Sequence, residues 1–177
     1  MDDWPVIESV TEYETGWYEG GYDLVEQPDG STKRYYWADL PAAVVVVAVR
    51  NGAVVFVEQY RPTIREHCLE LPAGIVEDGE SYAEAGRREL AEETGFEAAS
   101  VTPVESFWCS TGVLRHERGV VVAEDLSPGE PTLDGNEFLD VQTVPVEDAL
   151  DRARSDPAND ATIEALLLAA ADGHLSL

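Results

Sequence analysis

Three glutamates, Glu89, Glu92 and Glu93, follow Arg88 in the run RRELAEETGF. On a 3.6-residue helix they sit at i, i+3 and i+4, so their carboxylates share one face. Like charges at that spacing repel, and a solvated surface helix has no need of them there. A divalent cation between them removes the repulsion. Carboxylate oxygens are hard ligands that suit Mg2+ or Mn2+, and Mg2+ keeps waters and draws further ligands from a substrate phosphate. The spacing therefore points to metal-assisted chemistry on a phosphate. Arg88 stands four residues from Glu92, close enough to pair with it on the same helix. The competing reading is an exposed acidic helix.

That competing reading has weight because the whole chain is acidic. Asp and Glu number 36 against 11 basic residues, for a formal net charge of −25 and a pI near 4.1. Lys33 is the only lysine. Such charge works against the compact state unless salt screens it, and at molar salt the screening length falls to about 3 Å. The composition fits a salt-loaded cytoplasm, and the chain reads as one from a halophile. A nucleic-acid mimic or a bulk calcium binder would show acidic blocks, whereas here the acids are spread out. In this background only acids at a demanding spacing carry a functional claim.

Other chemistries find less support. Cys68 and Cys109 form no CxxC pair, and three scattered histidines add no zinc spacing, so two free thiols in a reducing compartment are expected. The start, MDDWPVIESV, carries no signal-peptide pattern, and the longest aliphatic run, residues 42–49, is too short to span a bilayer. No cationic nucleic-acid footprint is present. A cytoplasmic protein with a small-molecule substrate, and with neither nucleic acid nor membrane as partner, is expected.

The elements that must position the carboxylates follow from pattern. Length suits one core-forming fold. Residues 1–38 read as strands and turns, with GGYDLVEQ and STKRYYWA flanking a turn at Pro28-Asp29-Gly30. Residues 42–49 (AAVVVVAV) read as a buried strand, Asn51-Gly52 as a hairpin turn, and residues 53–59 as its return. A loop, RPTIREHC, precedes a short strand at 69–71. A helix is predicted over 81–94, with Ser81 and Glu84 as a capping box and Gly95 as its stop. Its packed face is expected to carry Ala83, Gly86, Leu90 and Thr94. Strands follow at 99–108, 119–123 and 138–143, separated by loops at 109–118 and Leu126–Asn136. Helices are predicted at 145–154 and 160–173. The sum is an α/β fold, a mixed sheet with helices packed on it.

Gly74, Glu80, Arg88-Glu89-Leu90, Glu92-Glu93, Gly95 and Phe96 match the pattern Gx5Ex7REUxEExGU, where U is aliphatic or aromatic, at every position. In this the sequence resembles the Nudix hydrolase family. The resemblance implies an α/β/α sandwich and hydrolysis of a nucleoside diphosphate linked to another group. It implies that Glu89, Glu92 and Glu93, with the carbonyl of Ala73 or Gly74, hold the metals. Arg88 would brace that face, Glu80 would position it from the helix start, and Gly74 and Gly95 would serve the turns. Gly86 stands where many members have alanine, which is expected to loosen the helix.

The flanks Val57-Glu58-Gln59-Tyr60-Arg61-Pro62 and Leu69-Glu70-Leu71-Pro72-Ala73-Gly74 resemble the ADP-ribose pyrophosphatase branch, which includes hydrolases of other nucleotide sugars such as GDP-mannose. The branch implies an extra N-terminal antiparallel β-region, here residues 1–40 ahead of the main domain at 41–177, and an intertwined homodimer. Asp160-Ala161-Thr162 before an apolar helix is also similar to the branch. Arg61 and Glu70 would lie beside the substrate, the planar fork of Arg61 suiting a phosphate, although a surface ion pair is an equal reading. Arg65 is a weaker candidate. Trp37 and Trp17 are candidate platforms for the base, against a reading of each as buried core. Glu117 is the candidate catalytic base or further ligand, and His116 reads as a loop residue. Thr111 replaces a proline of the branch, and Glu117 stands one residue late. A nucleotide-binding regulator without catalysis is the alternative from another class.

Overall fold

The computed structural model describes residues 3–133, 135 and 137–177; Asp134 and Asn136, in the expected loop at 126–136, lie outside the described residues. In chain order the elements are β1 (Val6–Glu14), β2 (Glu19–Glu26), β3 (Thr32–Asp39), β4 (Ala43–Arg50), β5 (Ala53–Arg61), β6 (Glu66–Glu70), β7 (Ala73–Ile75), α1 (Tyr82–Thr94), β8 (Phe96–Trp108), β9 (Leu114–Arg115), β10 (Glu117–Pro128), β11 (Leu139–Pro145), α2 (Val146–Ala153) and α3 (Asp160–Ala171). They divide into two compact units, Met1–Ala42 with Phe107–Arg118, and Ala43–Ser106 with Gly119–Leu177.

The first unit carries a sheet in the order β1-β2-β3-β9. β2 and β3 pair antiparallel around the expected turn, where Asp29 Oδ1 accepts the Ser31 amide at 2.9 Å. Neither tryptophan is buried core. Trp17 is 69% exposed in the turn between β1 and β2. Trp37 is half-buried, donates from Nε1 to Asp23 Oδ1 at 3.1 Å, and carries the Arg115 guanidinium 4.0 Å from its ring centroid. That guanidinium is itself paired with Asp23 at 2.6 Å.

In the second unit a seven-stranded sheet runs β11-β5-β4-β10-β8, with β6 added on β5 and β7 on β4. Asn51 (φ 52°) and Gly52 (φ 77°) both take the left-handed conformation that a two-residue hairpin requires. The β-branched run of β4 is buried on both faces. On one face Val44 and Val46, with Val55 and Val121, pack against Ala85 and Leu90 of α1. Strand alternation turns Val45, Val47 and Val54 the other way, and they are buried too. There α2 and α3 pack on each other and on strands of the sheet, through Ala149, Ala153, Ala165, Leu166 and Ala169. The result is the α/β/α layering expected. Leu90 is fully buried, so its truncation to alanine would cost about 2–5 kcal/mol.

Several boundaries differ from the sequence reading. The loop RPTIREHC is a tight turn at 62–65, closed by the Arg65 amide on the Arg61 carbonyl at 2.8 Å, and residues 66–68 already belong to β6. β7 was not expected, because three residues of Ala-Gly-Ile carry no periodicity to read. β10 runs on through 126–128, which the loop reading had claimed. On α1, Ala85 takes the buried place expected for Ala83, and Glu89 and Glu93 are buried as well. The acidic and packed faces of this helix therefore overlap. Neither Cys68 nor Cys109 is in a disulfide, as expected, and both are buried. Among the described residues no helix is long and apolar enough to cross a membrane.

Candidate active site

The site begins with how α1 is held. Ser81 caps it, its Oγ accepting the Glu84 amide at 3.3 Å while Glu84 Oε2 accepts the Ser81 amide at 2.8 Å. Gly95 ends it at φ 71°, donating its amide to the Ala91 carbonyl. Two glycines, Gly86 within α1 and Gly74 in β7, let α1 sit close to its neighbours. A Cβ on Gly86 would meet Val121 Cγ2 at 2.6 Å, so this glycine allows the helix to approach the sheet. That is a packing reason, where sequence alone suggested only a looser helix. A Cβ on Gly74 would occupy the place of the Glu89 carboxylate.

The charged face is organised by Arg88. Its guanidinium donates to both oxygens of Glu80, from Nε at 3.0 Å and Nη2 at 2.9 Å. Nη1 reaches Glu89 Oε1 at 2.8 Å and Glu92 Oε2 at 3.1 Å, and Nη2 reaches the Ile75 carbonyl at 2.9 Å. The glutamate at the start of the motif thus locks the arginine, and the arginine draws two of the three helix carboxylates. The same bonds, Glu80 first, push the Arg88 pKa up and hold Glu80 below the usual carboxylate range.

Glu93 is treated differently. It is 4% exposed and accepts the Ala73 amide at 3.2 Å. Burial pushes its pKa up to about 8, the Ala73 hydrogen bond opposing and the Glu89 charge adding to the rise. Burial also raises Glu89, against the pull of Arg88. Among the described residues no three Asp, Glu, His or Cys side chains are already gathered as a ligand set. Glu89 and Glu92 lean toward Arg88, and Glu93 toward the Ala73 backbone. The donors are nevertheless hard oxygens on one helix face, with Ala73 beside them and a cradle at Gly74 that a larger residue would fill. That set suits Mg2+ or Mn2+.

A second cluster flanks the first. Arg61, at the end of β5, donates from Nε at 2.9 Å and Nη2 at 2.6 Å to Glu70 Oε2. Its side chain is 44% exposed, and its charge acts on Glu93 to lower the pKa. Arg61 is therefore in an ion pair and also has a solvent-facing side. Gln59 Nε2 shares Glu70 Oε2 at 3.0 Å, and Asn159 Nδ2 takes Glu70 Oε1 at 2.8 Å. Sequence reasoning missed Asn159 and Glu137. The negative charge of Glu137 raises both Glu89 and Glu93, and this residue also lines a groove of about 620 Å3 with Tyr60, His67 and Phe138. In so acidic a chain a single glutamate before β11 has no spacing to mark it. Asn159 had a readable signal as the N-cap of α3, but not as a partner of Glu70.

The structure thus brings together Arg88, Glu89, Glu92, Glu93 and Ala73, and sets Arg61 with Glu70 within electrostatic reach of Glu93. Glu117 and Trp37 belong to the first unit. Glu117 is half-buried at the head of β10, and His116 Nδ1 lies 2.8 Å from the Pro41 carbonyl oxygen. Arg65 is exposed in the turn after β5.

Comparison with known proteins bears on the family and the fold. The NUDIX domain family model matches residues 39–166. An ADP-ribose pyrophosphatase of Bacillus subtilis (strain 168) is 37% identical over 140 residues, 77% of this chain and 76% of that protein. A methanol dehydrogenase activator of Bacillus methanolicus is 37% identical over 131 residues, 72% of this chain and 71% of that protein. The crystal structure of an ADP compounds hydrolase matches with a TM-score of 0.86 at 23% identity, covering 99% of this chain and 98% of that one. At that identity the likeness is one of fold.

Proposed function

The chain belongs to the Nudix family, and from that premise we propose that it hydrolyses the pyrophosphate bond of a nucleoside diphosphate linked to a second group, with ADP-ribose as substrate and AMP and ribose 5-phosphate as products. The observation that carries this reading is the helix face itself. Arg88 holds Glu89 and Glu92 toward one point while Glu93 stays buried beside Ala73, and the exposed side of Arg61 stands within electrostatic reach.

Mg2+ or Mn2+ would be held by Glu89, Glu92, Glu93 and the Ala73 carbonyl, and when bound it neutralises pyrophosphate oxygens and acidifies the attacking water. The rest falls to side chains of this chain. Arg61 offers the N–H groups that Glu70 does not use to phosphate oxygens. Arg88 keeps the carboxylates from splaying apart. A carboxylate takes the proton of the attacking water. Glu117 is the candidate from the sequence, and Glu137 is favoured by its effect on Glu89 and Glu93. Trp37, which carries Arg115 on its ring, is the candidate platform for the base.

The first unit leaves Val6, Ile7, Tyr13, Trp17 and Tyr36 exposed. A second copy of the chain covering them in a homodimer fits the branch. A salt-rich cytoplasm fits the net charge of −25.

The test is product analysis. The protein is incubated in molar KCl with Mg2+, separately with ADP-ribose and GDP-mannose, and products are separated by chromatography. AMP and ribose 5-phosphate are expected from ADP-ribose. Cleavage of GDP-mannose alone would keep the reaction and replace the substrate. Binding without turnover of either would favour the regulatory alternative.

A further inference from the structure

We infer that Asn159 is a positioning residue for the phosphate-binding arginine, and that Glu70 acts on Arg61 rather than on the substrate. The inference rests on the proposed role of Arg61 in holding a phosphate. Its geometry stands independently of that role.

Glu70 is 7% exposed, and both its oxygens are engaged. Oε2 accepts from Gln59 Nε2 and from Nε and Nη2 of Arg61. Oε1 accepts from Asn159 Nδ2 at 2.8 Å. A carboxylate so buried and so fully bonded has little capacity left for a ligand hydroxyl. It holds the guanidinium by the Nε edge, which leaves Nη1 on the outer side of an arginine whose side chain is 44% exposed.

What fixes Glu70 is the other end of the chain. Asn159 Oδ1 accepts the Thr162 amide at 2.8 Å and so caps α3, while its Nδ2 holds Glu70. The amide cannot be turned over, because that would set its oxygen against a carboxylate and its NH2 against an N–H. Asparagine alone does both tasks. Serine and aspartate cap a helix about as well, but neither donates to Glu70 from that position. Thr162 supplies a second tie between α3 and the end of β6, its Oγ1 accepting the Leu71 amide at 3.2 Å, and that tie makes no bond to the Glu70 carboxylate. Asn159 therefore couples the helix cap to the carboxylate that holds the arginine.

Three variants separate this role from a purely structural one. Asn159→Ser and Asn159→Asp keep the cap and remove the donor, and Thr162→Val loosens α3 on β6 while removing none of the bonds of the Glu70 carboxylate. The Arg61 Nε–H resonance is followed by NMR, assigned by its loss in Arg61→Lys, and kinetics are measured on ADP-ribose with Mg2+. In Asn159→Ser the Nε–H proton should exchange faster and KM should rise about three- to tenfold, the scale of one charge-assisted hydrogen bond lost at one remove, with kcat little changed. Asn159→Asp should do more, because it sets a carboxylate against Glu70. Thr162→Val should lower the melting point and leave both readouts in place. An unchanged Nε–H signal in both Asn159 variants would overturn the inference, as would equal effects in Thr162→Val. If the wild-type protein does not cleave ADP-ribose, the proposed function fails. The NMR comparison still decides whether Asn159 positions Arg61.

Discussion

Replacing Glu93 by glutamine tests the electrostatics of the site without removing bulk. In the folded chain burial holds the Glu93 pKa near 8, against 4.5 for an ordinary glutamate. The folded state therefore keeps a proton that the unfolded chain has released, throughout the interval between those values. Stability falls with pH wherever the folded state binds more protons. The contribution of Glu93 is fully present below about pH 4.5 and is lost as pH rises through about 8. At about 1.4 kcal/mol per pKa unit, the loss comes to roughly 3–5 kcal/mol over that interval. Glutamine keeps the shape and the acceptor for the Ala73 amide but cannot ionise, so Glu93→Gln should lack this slope.

The assay is denaturant unfolding from pH 4.5 to 9, in molar KCl to screen the acidic surface and with EDTA to remove divalent ions. The other 35 acids titrate in both proteins, so the difference between the two curves isolates Glu93. The curves should diverge steadily above pH 5. Added Mg2+ at pH 8 should then stabilise the wild type more than the variant, and the variant should lose ADP-ribose turnover while staying folded. Parallel stability curves would refute the reasoning, because they would mean that Glu93 is not held protonated by its surroundings. Near-normal turnover would remove Glu93 from the metal set.

Glu137→Gln and Glu117→Gln separate the two candidate bases. Loss of the base should lower kcat by about 10²–10⁴-fold with a smaller change in KM, and the glutamate whose loss spares kcat is excluded from that role. Gly86→Ala should destabilise the protein by about 1–3 kcal/mol in denaturant unfolding, because the new Cβ meets Val121 and overpacking outweighs the gain in helix propensity. A more stable variant would show that α1 can lift off the sheet at little cost. The melting point should rise from low salt to molar KCl as the net charge of −25 is screened, and a flat response would end the halophile reading.

Much of this arrangement was legible in the sequence, and the legible parts share a physical reason. The capping box at Ser81 and Glu84, the Gly95 stop, the Asn51-Gly52 turn and the β-branched run of β4 are each set by local chemistry, and each stands where expected. The i, i+3, i+4 spacing puts the three carboxylates on one stretch of α1, and the structure divides them between Arg88 and the Ala73 amide. Long-range partners were not legible. Asn159 meets Glu70 across 89 positions, and nothing near either residue signals the other. β7 was too short to show a period. Trp17 is exposed and Trp37 only half-buried, because aromatic character says what a residue could bury, whereas its surroundings in the fold decide what covers it.

The like charges on α1 are accommodated in two ways at once. Glu80, Glu89 and Glu92 are compensated by a cation that the chain itself supplies, since Arg88 reaches all three. Glu93 is accommodated by neutralisation, because desolvation keeps its proton on at neutral pH. An exposed acidic helix would need neither device, as water and salt would screen it. Burial, which among the described acids only Glu70 shares, is thus what separates Glu89 and Glu93 from the many others in the chain, and composition could not reveal it. A divalent ion entering here would draw oxygens from Arg88 and displace the proton of Glu93. Its affinity should therefore climb steeply between pH 6 and 8 in the wild type and only weakly in Glu93→Gln. Titration calorimetry with Mg2+ at several pH values, in buffers of different ionisation enthalpy, would count that proton. Release of no proton on binding would separate Glu93 from the metal.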